Sequence, residues 1–388
     1  MELVIAIALS ALGGIGWILL RGSRTPRTVP AQRRTRGKVA PAGVAWPDST
    51  PIVEADDGQK IGELEPPLLL ELELATTEDL APEERLDIVE RLAGTSMPSR
   101  AIHKLMSHSF MASASSRQLT ELLVVEPILA AKIIGRANSA FYSPGSPILS
   151  VAHALTYLGM NSVRGLALQF TLEQAFPTDD DALKAYQARL LDTGTIATEL
   201  VSILAPFFSI RDISVASTHA VLSFLGDFAM PRLMPQQTAV DYWPLGLLER
   251  TCHQQLHTRT NGGVVAELMI EAWGLPTDLA QGVGEVNALL KQPVEEPLKP
   301  DSRRLVLSYL CCRLAEPIAL GSVHDTESLA SWVESAPELY VVQKQLKDIG
   351  ATDVLALLAS PTVKRGVDRL IGGMQRQRSV NRQAVSPY

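Results

Sequence analysis

Between Glu126 and Gly159 the chain spells out one local structure and leaves little room for another. Pro127 opens a helix in which Leu129, Ile133, Ile134 and Ala137 recur at helical spacing. Asn138 and Ser139 end it, because their side chains can bond nearby backbone groups and so turn the chain sharply. A loop through Pro144 and Gly145 leads to Ser150, whose hydroxyl suits an N-cap. Val151, Leu155 and Leu158 then form the apolar stripe of a second helix that Gly159 stops. Asn161 is expected to cap a third, carrying Val163, Leu166, Ala167 and Phe170.

The same logic extends along the chain. Pro82 starts a helix that Gly94 stops, and another opens after Met97-Pro98-Ser99. Ser115 and Gln118 have the spacing of a capping box before Leu119, Leu122 and Leu123. Further helices are expected at about 182–206, 212–229, 241–258, 260–273 and 276–290, then 301–315 and 326–371, broken by Pro and Gly. No sustained period-two alternation and no Asn-Gly hairpin appear, and no repeat of 20–50 residues is visible. A hydrophobic content of 46% with only 5% aromatics requires a core of Leu, Ala, Val and Ile, which suits closely packed helices. The expected fold class is all-α.

Leu3 to Leu20 is an uncharged run of eighteen residues. At about 1.5 Å per residue it approaches the roughly 30 Å of bilayer hydrocarbon. Arg21-Gly22-Ser23-Arg24 follows it in place of a cleavage site, so the run reads as an uncleaved anchor. Residues 21–40 hold seven basic groups and no acid, which by the positive-inside rule puts 21–388 in the cytoplasm, as a single-pass membrane protein. Residues 54–90 carry thirteen acids against Lys60 and Arg85, and beyond residue 90 acids and bases nearly balance. That balance argues against a nucleic-acid surface on the body. Cys252, Cys311 and Cys312 offer no disulfide framework, which suits a reducing compartment.

The segment from Glu126 to Arg164 resembles the core of the HDOD domain, a bacterial signalling module related to the HD phosphohydrolases. Glu126-Pro127-Ile128-Leu129, Arg136 to Tyr142, Ser150 to Gly159 and Arg164 occupy the family's "DPxL", "ANSAxY", "SIxxAIxxLG" and basic positions. Trp273-Gly274-Leu275-Pro276 matches a later motif. The resemblance covers about 92–290 and implies an HDOD-type multi-helix bundle. The map is then an anchor at 1–20, a basic Pro-rich linker expected to be disordered at 21–67, an acidic helical connection at 68–91, the HDOD-like domain at 92–290, a helical extension at 291–373 and a disordered tail at 374–388. Pro127, Leu129, Asn138, Ser139, Tyr142, Ser150, Leu158, Gly159, Trp273 and Pro276 are its structural motif residues. Lys132 and Arg164, expected on the surface, are the candidates for a partner-binding face.

A catalytic relative needs His and Asp side chains gathered around a divalent ion that activates water. The resemblance aligns the family's His-Asp pair with Ser223 and Phe224, a later His with Gly262, and a terminal pair of His with Val286-Asn287. None of these can ligate a metal as His or Asp does. His253 and His257 have the i, i+4 spacing of a zinc site, but Gln254 replaces the general base of a metalloprotease and no third ligand is apparent. His324-Asp325 reads as a helix start. Phosphate-binding loops and nucleophile elbows are absent. No catalytic, metal or cofactor residues are therefore expected. The implied function is a non-enzymatic, membrane-tethered regulator that binds an unknown signalling protein, with its oligomeric state open. The alternatives are a metal-dependent phosphohydrolase acting on nucleotides and a cyclic-dinucleotide-binding module.

Overall fold

The computed structural model describes residues 66–385 apart from 96, 108, 109, 111, 112, 243, 294–299 and 349–352. The expected anchor and all but the last two residues of the linker lie outside the described residues, as does His108. Helices α1 (Pro67–Glu71), α2 (Pro82–Arg91), α3 (Arg100–Met106) and α4 (Ser116–Val124) lead to the motif pair α5 (Pro127–Ala137) and α6 (Val151–Leu158). Then come α7 (Met160–Ala175), α8 (Asp181–Leu204), α9 (Ser214–Leu222), α10 (Leu225–Leu233), α11 (Gln236–Tyr242), α12 (Leu247–Thr258), α13 (Gly262–Ala272) and α14 (Thr277–Ala288). The chain finishes with α15 (Pro300–Leu320), α16 (Thr326–Ser335), α17 (Tyr340–Asp348), α18 (Val354–Ala359) and α19 (Pro361–Val385). Among the described residues there is no strand.

Local chemistry explains the motif pair. Ile148 N–H donates to Asn138 Oδ1 at 2.8 Å, and Asn138 Nδ2 donates to the carbonyls of Ile148 (2.7 Å) and Ile134 (2.9 Å), so one side chain closes the ten-residue loop. Ser139 behaves differently from expectation. Its backbone N–H caps Arg136, but its buried hydroxyl has no hydrogen-bond partner. Ser150 Oγ accepts from His153 N–H at 3.1 Å, and Gly159 ends α6 at φ +85°, a left-handed conformation that other residues adopt only with strain. Asn161 is not a cap. Helix α7 already begins at Met160, and Asn161 Nδ2 instead donates to Ser202 Oγ on α8 at 3.1 Å.

Leu129, Ile133 and Leu155 are buried, as their spacing predicts. Truncating either Ile133 or Leu155 to Ala should cost about 2–5 kcal/mol. Thermal unfolding of the two variants checks this, and unchanged melting of both would contradict the packing.

The expected helix over 212–229 breaks at Ser223-Phe224 into α9 and α10, and that over 326–371 resolves into four. Residues beyond 290 share the core with the rest. The Ser308 hydroxyl donates to the Ala216 carbonyl at 3.0 Å and the Cys312 thiol to that of Ala220 at 3.4 Å, fixing α15 along α9. Helix α8 is long and apolar enough to cross a membrane, yet it packs against α7, α9, α15 and α19. The stretch expected to be a disordered tail is helical to Val385. Met374 is buried, and Arg376 donates to the Ala140 carbonyl and to Ser143 Oγ, each at 3.2 Å.

Candidate functional site

The aligned positions Ser223, Gly262 and Asn287 come together. With Asp227 and Gln254 they line a cavity of ≈ 10 Å³, which Leu74 from the acidic segment helps to close. That is about the lower limit for one water. Phe224, at the position aligned with the Asp of the pair, points into the core instead. The opening of α13 explains the small volume. Gly262 has no side chain, and its N–H donates to Gln254 Oε1 at 2.9 Å while Gln254 Nε2 donates to Asp227 Oδ1 at 3.1 Å.

The polar side chains at the aligned positions are already committed. Ser223 Oγ donates to the His219 carbonyl at 2.7 Å, and Asn287 Nδ2 donates to that of Val283 at 3.0 Å. The one carboxylate, Asp227, lies 3.5 Å from Arg250 Nε. Arg250 Nη2 in turn meets Glu316 Oε1 at 2.7 Å, and Arg313 Nη1 lies 3.0 Å from the same oxygen. Burial pushes the Asp227 carboxyl up, and Arg250 pulls it back only in part. Burial also opposes the charge of Arg250, but Glu316 and Asp227 together hold it protonated. A divalent ion needs several anionic or imidazole donors. Ser223, Gln254, Asn287 and one arginine-paired carboxylate do not fit it.

The other expected sites separate. His253 stacks on Tyr242, their ring centroids 3.9 Å apart, with His257 at 6.1 Å from the same ring. Asp325 caps α16 by accepting from Ser328 N–H at 2.7 Å. Among the described residues no group of three or more His, Cys, Asp or Glu could hold a metal ion. Lys132 is half-buried, pairs with Glu173 and lies over the Phe170 ring. Arg164, expected on the surface, is buried. It donates to the carbonyls of Leu105 (3.1 Å) and Ser214 (2.6 Å) and to the Thr218 hydroxyl, tying α7 to α3 and α9. Tyr142 is half-buried, and its hydroxyl donates to Glu199 at 3.1 Å. Pro276 is the N-cap of α14, and Trp273 is buried.

Residues 96–288 match the HDOD domain family. The chain carries an HDOD domain. Ser223, Gly262 and Asn287, the Asn138 turn and Arg164 all lie within that span. No curated protein matches the chain. Among solved structures, an HDOD domain protein of unknown function from Geobacter sulfurreducens is 16% identical, with a TM-score of 0.49, over 75% of this chain and 99% of its own. A candidate phosphohydrolase from Shewanella amazonensis is 15% identical (TM-score 0.47; 75% and 97%). A candidate signal transduction protein from Marinobacter aquaeolei is 17% identical (TM-score 0.47; 76% and 65%).

Arg250, Glu316 and Arg313 escaped the sequence reading, as did the roles of Asp227 and Gln254. A signal was present. Arg313 and Glu316 are the only charged residues in the run Leu305 to Leu320, and Arg250 and Gln254 sit one turn apart on one face of α12.

Proposed function

We propose that this chain is a non-hydrolytic signal-transduction adaptor, held at the membrane by residues 3–20 and acting through contacts of its HDOD domain with another protein. What supports the reading is the donor set around the small cavity, where Ser223, Gln254 and Asn287 are neutral and the one carboxylate, Asp227, is paired with Arg250. Two assays on the full-length protein in detergent test it. Hydrolysis of nucleotides with added Mn²⁺ or Mg²⁺ should not exceed the blank, and affinity capture from native membranes should return a stoichiometric protein partner. Metal-dependent turnover abolished by Asp227→Asn would replace the adaptor by a phosphohydrolase.

The adaptor reading has two further expected outcomes. Removing residues 1–21 should move the protein to the soluble fraction, and retention in pelleted membranes after a high-salt wash would contradict the anchor. If α5 belongs to the output face, Ile128 is the side chain to vary, since it is 68% exposed and Arg164 is buried. Ile128→Asp should weaken capture of the partner without changing the melting temperature.

A further inference from the structure

A second and larger cavity, ≈ 450 Å³, opens between α7, α9, α14 and α15, within the range of about 300–1,000 Å³ typical of small-molecule sites. Its floor includes Arg164 and His219, both buried. The hydrogen bonds of Arg164 go to two carbonyls and a hydroxyl, and among the described residues no carboxylate lies within ion-pair distance of it. A buried guanidinium without a counter-ion is unfavourable, and burial lowers its pKa to about 10, which Asp212 at longer range offsets only in part. The Nδ1 of His219 is buried without a hydrogen-bond partner. The other edge of the ring is blocked, since a Cβ on Gly282 would come within 2.6 Å of Nε2. Burial first, then Arg304 and Arg164, lower the His219 pKa to about 4, so the ring is neutral near pH 7.

The rim has the opposite character. Asp278 and Glu285 are exposed and lie seven residues apart on one face of α14. The third rim acid, Asp301, is cancelled by Arg304 at 2.5 Å. Among the described residues, what remains is one positive charge at the floor and two negative charges at the mouth. A simple anion would meet Asp278 and Glu285 on entering, and a simple cation would end beside Arg164. A molecule bearing both charges satisfies both ends. A cyclic dinucleotide, with two phosphates and no cation, is a poor match.

We propose that this cavity binds a small amino-carboxylate, such as a free amino acid, with its carboxylate at Arg164 and its ammonium group toward Asp278 and Glu285. The site is separate from the small cavity and does not depend on the adaptor reading.

The test is a thermal-shift screen of full-length protein in detergent against the free L-amino acids one at a time, with acetate and methylamine as half-ligand controls, followed by calorimetric titration of any hit. At least one amino acid should raise the melting temperature saturably, and neither control should reproduce the effect. Arg164 also ties three helices together, so the informative variant is Asp278→Asn/Glu285→Gln, which changes only exposed side chains. It should melt like the parent and bind the hit at least about tenfold more weakly, the size of one lost charge contact. No saturable shift from any amino acid, an equal shift from acetate alone, or unaltered binding by the double variant would each overturn the proposal.

Discussion

Alanine at Gly226 is expected to leave little folded protein. Helix α10 crosses the start of α13 so closely that a Cβ on Gly226 would fall inside the van der Waals envelope of the Gly262 carbonyl. Overpacking usually costs about 1–3 kcal/mol because side chains can rotate away. Here the obstacle is backbone, and relief would require moving a whole helix. The cost should therefore lie at or above the top of that range, a large share of the roughly 5–15 kcal/mol that holds a typical domain together. Soluble yield and far-UV circular dichroism read the outcome. A Gly226→Ala protein that expresses and melts like the parent would show that the two helices do not cross as described.

Arg250→Met should be nearly as damaging, for an electrostatic reason. The guanidinium is the cation shared by Asp227 and Glu316, both buried, and methionine retains its bulk without its charge. Removing one partner of a buried ion pair costs about 3–5 kcal/mol. Its pH dependence distinguishes this cause from lost packing. Burial already raises the Asp227 carboxyl, and without Arg250 the folded-state pKa rises further. The unfolded chain protonates this group only near pH ~3.9. The deficit of the variant should accordingly be complete at pH values above the raised pKa. It should shrink as the pH falls through it, because the folded protein then takes up a proton that the unfolded chain does not. Denaturant unfolding of parent and variant from neutral to mildly acidic pH measures this, and a deficit independent of pH would rule out Asp227 as its source.

What sequence reading could and could not reach divides along physical lines. The Asn138 turn, the Ser150 cap, the Gly159 stop and the Ser115–Gln118 capping box are interactions within about ten residues, and their chemistry is written locally. Ser223, Gly262 and Asn287, singled out by alignment, line one small cavity, although nothing local in the sequence brings them together. The burial of Arg164 was not, because its partners lie 50 to 59 residues away and a lone arginine on a helix resembles any solvated one. The pairing of Arg250 with Glu316 spans 66 residues and is equally silent in a linear pattern. Helix α19 was missed beyond Gly373 because its apolar stripe, Val363, Val367, Leu370, Ile371 and Met374, ends there. Hydrogen bonds from Arg376 and Arg378 to distant carbonyls fasten its last turns instead.

Those last contacts impose an order on how the protein is made. The backbone around Asn138 is complete only when Arg376 reaches the Ala140 carbonyl and Gln377 accepts from Phe141 N–H, both 236 residues later in the chain. At roughly 5–20 residues per second, a ribosome needs about 12–50 s to cover that interval. Throughout it, the loop relies on Asn138 and on neighbours such as Tyr157 and Glu199, and the Phe141 ring lacks the cover of Gly373. Contacts of such long range slow folding, because chain closure must precede the gain. The nascent chain thus carries its family signature early and in unfinished form, and the last helix to emerge is the one that sets it.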